Sequence, residues 1–136
     1  MTAAPNATLS AQTAGAITRY RVVLMLSIVL NVAVAFFIMI APDAFTAYLH
    51  QPEAHPATWP RHWGFQLLAI NGLYLPGFRD PVGQRWPNWA GVVIRITFSL
   101  FFFSQGDGFV PMGIYDGLSG LLLLFTYLPV VRSASR

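Results

Sequence analysis

The sequence predicts an all-α integral membrane protein, a four-helix bundle with a short interfacial helix after its first span. Three observations predict this class. Hydrophobic residues occupy 55% of the 136 positions and charged residues only 10%, whereas an ordinary soluble domain is roughly one quarter charged. Four apolar segments are about as long as a bilayer is thick, at about 1.5 Å per helical residue. Small and polar residues recur inside these segments at intervals of three and four, which places them on one helix face.

The composition excludes several kinds of protein. The chain contains no cysteine, which excludes disulfides, thiolate metal sites, thiol redox chemistry and c-type haem attachment. The net charge of +3 comes from eight arginines and five acidic residues. The arginines are spread along the chain, whereas a nucleic-acid-binding protein needs basic residues clustered on one face. A chain of this length forms one domain, so no separate soluble module is expected.

The amino-terminal part predicts a tail followed by a first span. Residues 1–18 are small and polar, carry no charged side chain and predict a mobile tail. Residues 19–132 predict a single membrane domain. Its first span, 22–40, is nineteen residues long and uncharged, which is longer than the apolar core of a secretory signal, about 7–15 residues. The first span is followed by Asp43, which can cap a short surface helix over 44–50.

Three further spans complete the bundle, and they are predicted at 62–78, 88–103 and 111–131. Four spans put both termini on the same side of the membrane. Most arginines lie at the termini or in the second loop, namely Arg19, Arg21, Arg79, Arg85, Arg132 and Arg136. Only Arg61 lies in the first or third loop. The positive-inside rule therefore predicts cytoplasmic termini, in a bacterial-type inner membrane.

Each span carries a stripe of small and polar residues, the kind of residue that holds helices together in lipid. The stripes are Ser27, Asn31 and Ala35 in the first span; Gly64, Asn71 and Gly72 in the second; Gly91, Arg95 and Ser99 in the third; Gly113, Asp116, Gly117 and Gly120 in the fourth. They predict the interior of the bundle. The glycines of the fourth span, Gly113, Gly117 and Gly120, are also candidates for self-association.

Arg95 and Asp116 are the two charged residues deep inside predicted spans. An unpaired charge at that depth costs at least about 2.5–3.5 kcal/mol, so a partner or water is required. One interpretation is a structural ion pair, with Asn31 and Asn71 as interhelical hydrogen-bonding groups. A second is that the pair lines a cavity and binds or protonates a molecule. A third is a transport role in which Asp116 exchanges protons.

The first loop carries a second group of polar residues. His50, His55 and His62 are weak candidates for metal ligands, because the five-residue spacing of the first two across Pro52 is not that of a helical ligand pair. No metal site is predicted from them. Arg61 and His62 open the second span, where they can meet lipid headgroups or the polar head of a ligand. The alternative is ordinary snorkelling to the interface.

Three short segments resemble the DoxX-like group of small four-helix membrane proteins. They are "APDAFTAYL" after the first span, "LYLPGFRDP" at the end of the second and "WAGVVIRI" in the third. The resemblance implies a four-span fold and either quinone-linked oxidation or an accessory role in a membrane complex. The absence of cysteine argues against sulfur-transfer chemistry here. The resemblance implies no catalytic residue.

Three functions follow from these observations. The first is a non-enzymatic accessory or scaffold subunit that packs against a larger membrane complex within the lipid bilayer. The second is an enzyme or binding protein for a lipophilic molecule such as a quinone or isoprenoid. Its polar contacts would be Arg95, Asp116, Asn31 and Gln66, with Asn71, Arg61 and His62 as further candidates. The third is a small proton-coupled transporter. The sequence requires no cofactor, and it favours a non-enzymatic protein without deciding the matter.

Overall fold

The computed structural model describes residues 5–134, with side chains from residue 11 onward. It contains five α-helices: α1 Pro5–Ile40, α2 Pro42–Tyr48, α3 Thr58–Arg79, α4 Arg85–Phe103 and α5 Val110–Ala134. A 3₁₀ turn at Asp107–Phe109 leads into α5. No strand occurs in the described part of the chain, so the predicted all-α class is confirmed.

The four long helices form a ring of neighbours in which α1 contacts α3 and α5, while α4 contacts α3 and α5. Asn31 of α1 bonds to Asn71 of α3, and Arg21 further back in α1 bonds to Phe78 further on in α3. Residue numbers therefore rise in one helix as they fall in the other, so the two are antiparallel. Helices α1 and α5 are antiparallel on the same ground, because Tyr115 bonds to Asn31 and Tyr127 packs on Tyr20. Helices α3, α4 and α5 follow one another through short connections, which makes these consecutive neighbours antiparallel as well.

Helix α1 begins earlier than predicted. Residues 5–18, predicted as a mobile tail, are helical and continue α1 toward the amino terminus; residues 1–4 lie outside the described part. The mobility of this segment stays a prediction. Pro5 suits the first turn of a helix, and the alanines that follow have the highest helix propensity. Ala16 is 3% exposed and packs with Tyr20 and Leu24. The spacing of four between these residues extends the buried face of α1.

Helix α2 folds over one end of the bundle. Its N-cap residue is Ala41, which makes no side-chain capping bond, so the predicted capping role of Asp43 is wrong. Asp43 instead lies in the first turn, where its charge suits the helix dipole. Phe45 and Leu49 are buried against Ile38 of α1. The helix is therefore packed onto the protein on one side, and is not only a surface element.

A hydrogen-bonded cluster ties the opposite end of the bundle together. The Tyr20 hydroxyl donates to Asn88 Oδ1 at 2.7 Å, and the Tyr127 hydroxyl donates to the carbonyl oxygen of Pro81 at 3.1 Å. Arg21 Nε donates to the carbonyl oxygen of Phe78 at 2.9 Å. These bonds join α1, α4 and α5 to the end of α3 and the loop after it. They fix the end of the bundle at which the amino-terminal half of α1 lies beside the last turns of α5.

Polar side chains lie inside the helices and many large apolar ones lie outside. Five buried charged or amide side chains accompany the hydrophobic core clusters, namely Asn31, Asn71, Asn88, Arg95 and Asp116. Among the residues whose side chains are described, twenty-five large hydrophobic ones are exposed. Two helical segments, Ala11–Ile40 with mean hydropathy 2.8 and Asp107–Ala134 with 1.6, are long and apolar enough to cross a membrane. By length and composition alone, two helices of the described residues could therefore cross a membrane.

Candidate functional site

The polar centre of the bundle is an ion pair between α4 and α5. Arg95 Nη1 donates to Asp116 Oδ1 at 2.9 Å, and the two side chains are only 4% and 13% exposed. Each charge would be costly to bury alone, so each stabilises the other in the interior. The structure therefore pairs the two buried charges that the sequence places in adjacent spans.

Glycines on α5 allow α4 to approach closely enough for this pair to form. A Cβ atom on Gly120 would lie 3.2 Å from Arg95 Cβ, and one on Gly117 would lie 2.7 Å from Ser99 Oγ. Ser99 Oγ also donates to the carbonyl oxygen of Gly113 at 2.7 Å. The glycine stripe predicted for self-association thus lies against α4 of the same chain. Self-association of the protein stays a prediction, but α4 of the same chain already covers this glycine stripe.

Arg95 has donors left over after pairing with Asp116. Its Nε and Nη2 atoms are buried and have no hydrogen-bond acceptor. Its guanidinium carbon lies 5.7 Å from the centre of the Tyr115 ring, a cation–π distance. The side chains of Tyr74 and Tyr115 both interact with the guanidinium, by charge and by hydrogen bonding. Because buried donors in native proteins are nearly always satisfied, these two tyrosines are the partners that the described residues offer to the remaining donors of Arg95.

A cavity of about 380 Å³ lies beside the ion pair and receives side chains from all five helices. This volume falls within the range of small-molecule sites, about 300–1,000 Å³. The walls are mostly aromatic and aliphatic, and the non-tyrosine polar groups are Asn31, Arg95 and Asp116. The full lining is Asn31, Val34, Phe37, Phe45, Tyr48, Trp63, Leu67, Ile70, Tyr74, Ile94, Arg95, Phe98, Phe102, Pro111, Met112, Tyr115 and Asp116.

Asn31 links the cavity to an interhelical hydrogen-bond chain. The Tyr115 hydroxyl donates to Asn31 Oδ1 at 2.8 Å, and Asn31 Nδ2 donates to Asn71 Oδ1 at 3.2 Å. Asn71 Nδ2 in turn donates to the carbonyl oxygen of Leu67 at 2.7 Å. The chain joins α5, α1 and α3. Asn71 does not line the cavity itself, so its described role is to hold Asn31 and, through it, the Tyr115 hydroxyl.

Three other predicted ligand contacts lie elsewhere. Gln66, Arg61 and His62 are exposed on α3 and do not line the cavity. Gln66 Nε2 lies 2.8 Å from His62 Nε2, so these two residues contact each other. Helical geometry explains the separation, because Gln66 is five residues before Asn71 and therefore points away from the buried face.

The histidines do not converge. No group of three or more histidine, cysteine or acidic side chains comes together within the described residues. His55 and Glu53 form an exposed pair at 2.9 Å. The hydrogen bond to Glu53 raises the pKa of His55. A surface pair of this kind contributes little to stability.

Sequence reasoning missed the tyrosines and the contribution of α2. Tyr74 and Tyr115 line the cavity beside Arg95. Tyr74 follows Asn71 by three residues on the same face of α3, and this spacing was available as a signal. Phe45 and Tyr48 of α2 also line the cavity. No periodicity within the chain reveals that α2 folds back over the bundle.

No protein-family model, curated protein or solved structure matches this chain. The resemblance to DoxX-like proteins therefore stays a prediction.

Proposed function

We propose that the chain is a four-span membrane protein that binds a lipophilic molecule, with the polar head of that molecule on Arg95. The observation that carries this proposal is a buried arginine in the wall of a largely apolar cavity, whose Nε and Nη2 donors make no hydrogen bond of standard geometry. Tyr74 and Tyr115 are the side chains that interact with the guanidinium there by hydrogen bonding. The oxygen of a ligand in the cavity would be a further acceptor for these donors.

The four-span arrangement is supported by the two helices that are less apolar. Helices α3 and α4 have 22 and 19 residues, which at about 1.5 Å per residue is close to a hydrocarbon core of about 30 Å. Their polar side chains Asn71, Arg95 and Ser99 are buried, and large apolar side chains such as Leu73 and Phe101 are exposed. This is the pattern of a helix with lipid outside and protein inside.

The orientation is supported by the arginines. Arg19, Arg21, Arg79, Arg85 and Arg132 lie near the start of α1, the end of α5 or the α3–α4 loop. Contacts between α1, the α3–α4 loop and α5 bring these segments to one end of the bundle. Arg61 lies toward the other end. The positive-inside rule then favours a cytoplasmic location for the arginine-rich end.

The walls of the cavity favour a ligand with an apolar body. Trp63, Phe98 and Phe102 present aromatic rings, and Val34 and Leu67 present aliphatic surface. A lipophilic molecule dissolved in the bilayer can bury its body there while its head approaches Arg95. Quinones and isoprenoids belong to this class. The role of accessory subunit stays a prediction. The mass spectrometry experiment in the next paragraph distinguishes it from the ligand-binding role.

Native mass spectrometry of the protein extracted gently from its own membrane tests the proposal. Arg95→Lys retains the charge that pairs with Asp116 but removes the planar guanidinium. The matched control is Arg85→Lys, at an exposed position on the same helix. We expect a small lipophilic mass on the unmodified protein and on the control, and its loss from Arg95→Lys. Equal retention by all three proteins, or a stoichiometric polypeptide and no small molecule, would contradict the proposal.

A further inference from the structure

We propose that the cavity opens sideways between α3 and α4, and that its ligand enters through this opening directly from the hydrocarbon core of the membrane. The inference rests on the proposed function, because it requires that α3 and α4 cross the bilayer and that the cavity hold a lipophilic molecule. Three observations carry it: where α3 and α4 touch, which side chains lie between the points of contact, and how the other sides of the cavity are closed.

Helices α3 and α4 contact each other at two levels, one nearer their connecting loop and one nearer α2. At the first level Gly91 lies against Tyr74, since a Cβ atom on Gly91 would lie 2.8 Å from Tyr74 Cε1. At the second level the ring centres of Trp63 and Phe102 lie 6.1 Å apart. Eleven positions separate the two levels along each helix, which is about 16 Å at about 1.5 Å per residue. No hydrogen bond or ring contact of the described residues joins the intervening stretch of α3, residues 64–73, to α4.

The side chains between these two levels form the edges of an opening. Ile94 and Phe98 follow Gly91 by three and seven positions, so they lie on the side of α4 that faces α3. Both line the cavity, yet Ile94 is 39% exposed and Phe98 is 43% exposed. Ile70 lies four positions before Tyr74, lines the cavity from α3 and is half-buried. Side chains that face both a cavity and the outside show where the cavity is open.

The other three sides of the helix ring are crossed by side-chain contacts beside the cavity. Asn31 joins α1 to α3 through its bond to Asn71. The bond from Tyr115 to Asn31 joins α5 to α1. The ion pair of Arg95 and Asp116 joins α4 to α5. The stretch of α3 before Tyr74 has no such described contact with α4, so this is the side on which the ring is least closed.

A second exposed part of the lining lies at the end of the bundle, under α2. It consists of Phe37, Tyr48 and Pro111, which line the cavity and are exposed. Phe37 lies six residues beyond Asn31 in α1, which places it about 9 Å nearer that end of the bundle. Ile94 instead lies at the middle of α4. The opening between α3 and α4 is therefore the one that a four-span arrangement surrounds with hydrocarbon.

The outer rim of the opening is apolar. Leu73 follows Ile70 by three positions and Phe101 follows Phe98 by three, and both are exposed. The exposed arginines of α3 and α4 lie at the helix ends, and they are Arg61, Arg79 and Arg85. A molecule dissolved in the bilayer can thus reach the cavity without passing through water. An apolar chain longer than the cavity can stay in the bilayer while the polar head lies inside.

Adamantane diazirine dissolved in the bilayer tests the opening. Illumination converts this small hydrocarbon into a carbene that inserts into the side chains beside it. The two buried reporters are Asn31 of α1 and Phe45 of α2, which line the cavity, so the reagent reaches them from inside the cavity. The reference is Leu30, which is exposed. In the unmodified protein in vesicles, we expect mass spectrometry to find label on the reference and on both reporters.

Closing the opening provides the matched comparison. The chain contains no cysteine, so pairs of cysteines can be introduced and linked with a short bis-maleimide. Ile70→Cys with Ile94→Cys bridges the opening between α3 and α4. Phe37→Cys with Pro111→Cys bridges the exposed part under α2. We expect the first bridge to remove label from the reporters but not from the reference, and the second bridge to leave all labelling unchanged. The unlinked cysteine variants should be labelled like the unmodified protein.

The outcomes separate the inference from the proposed function. Unlabelled reporters in the unmodified protein would overturn the inference, and this result needs no variant. Equal effects of the two bridges, or loss of label with the second bridge alone, would also overturn it. A mass that the native protein retains and Arg95→Lys loses would leave the proposed function standing in each of these cases. Labelled reporters without any retained mass would overturn the proposed function and leave an open cavity with no ligand.

Discussion

Arg95 combines two properties that rarely occur in one buried residue. It is ion-paired with Asp116, which accounts for its presence inside the bundle, and it retains two buried donors, Nε and Nη2, that the ion pair does not occupy. Structure and function can therefore be tested separately at this residue. Loss of the ion pair should lower the free energy of unfolding, whereas loss of the remaining donors should weaken ligand binding.

Removing one partner of the pair should destabilise the protein strongly. Arg95→Leu and Asp116→Leu should each cost about 3–5 kcal/mol, because each leaves the other charge buried alone. The double variant should recover most of this loss. Reversible unfolding in detergent, analysed as a double-mutant cycle, measures the coupling. Losses that simply add in the double variant would show that the two charges do not stabilise each other.

Ser99 provides a neutral comparison on the same pair of helices. Ser99→Ala removes the hydrogen bond to the carbonyl oxygen of Gly113. We expect a loss of about 0.6 kcal/mol, typical of a hydrogen bond between membrane helices. The same unfolding experiment measures it. A loss of stability as large as that of Arg95→Leu would mean that any change at the contact of α4 and α5 destabilises the protein. The charge of Arg95 would then not explain its effect.

At the scale of helices, close approach depends on particular glycines. Gly64 of α3 is buried, and a Cβ atom there would lie 2.8 Å from the carbonyl oxygen of Ala35 and 2.7 Å from Met39 Cγ. Gly72 lies on the same helix, where a Cβ atom would have no neighbour within 4 Å. The two glycines occupy one predicted stripe, yet only Gly64 is in contact with α1.

This difference predicts opposite effects of the same substitution. Gly64→Ala should destabilise the protein by about 1–3 kcal/mol, since the backbone of α1 must move away. Gly72→Ala should be neutral or stabilising by up to about 1 kcal/mol, because alanine favours the helix. Thermal unfolding of both variants in one detergent measures the contrast. Equal effects would mean that the spacing of α1 and α3 is not set at Gly64.

The bounds of the helices show what sequence patterns can and cannot predict. The long apolar or polar-striped segments of α3, α4 and α5 were located to within four residues at each end, because hydrophobicity and turn residues bound them. The start of α1 was not located, because alanine, serine and threonine carry no hydropathy signal. This holds even for Ala16, which is buried. The contacts of α2 with Ile38 depend on how the chain folds back. The local sequence pattern of α2 does not predict them.

The same limit applies to the site. A lone arginine in one span and a lone aspartate in the next predict that the two are close, since neither is tolerated alone in lipid. Their partners Tyr74 and Tyr115 depend on helix rotation and rotamers, which the pattern does not specify. Gln66 was grouped with Arg95, Asp116 and Asn31 on polarity alone, and its exposed position shows that polarity in a helix does not identify the buried face.

At the scale of the whole molecule, the large exposed apolar surface is the feature that a membrane would explain. Exposed residues such as Leu26, Leu100 and Phe125 cover the outside of the helices, while a few buried amides and charges lie among the hydrophobic core clusters. A soluble protein with this surface would aggregate. Four spans with a common side for both termini follow if α3 and α4 cross the bilayer with α1 and α5.

The absence of cysteine makes the topology directly testable. Gln84→Cys lies in the α3–α4 loop and Gln105→Cys in the loop before α5, and both positions are exposed. A membrane-impermeant maleimide added to intact cells should label Gln105→Cys and not Gln84→Cys. Permeabilised cells should allow labelling of both. The reverse pattern would invert the orientation, and labelling of both in intact cells would contradict four spans.

The unpaired donor of Arg95 can be observed by NMR of protein labelled with ¹⁵N-arginine and purified gently from its own membrane. We expect one Nε–H signal, absent from Arg95→Lys, that is protected from exchange with water and shifted to the position of a hydrogen-bonded guanidinium. Stripping the protein of lipophilic molecules should move this signal, and adding them back should restore it. A signal that is identical in gently purified and stripped protein would mean that no ligand reaches Arg95, and that the arginine serves the bundle alone.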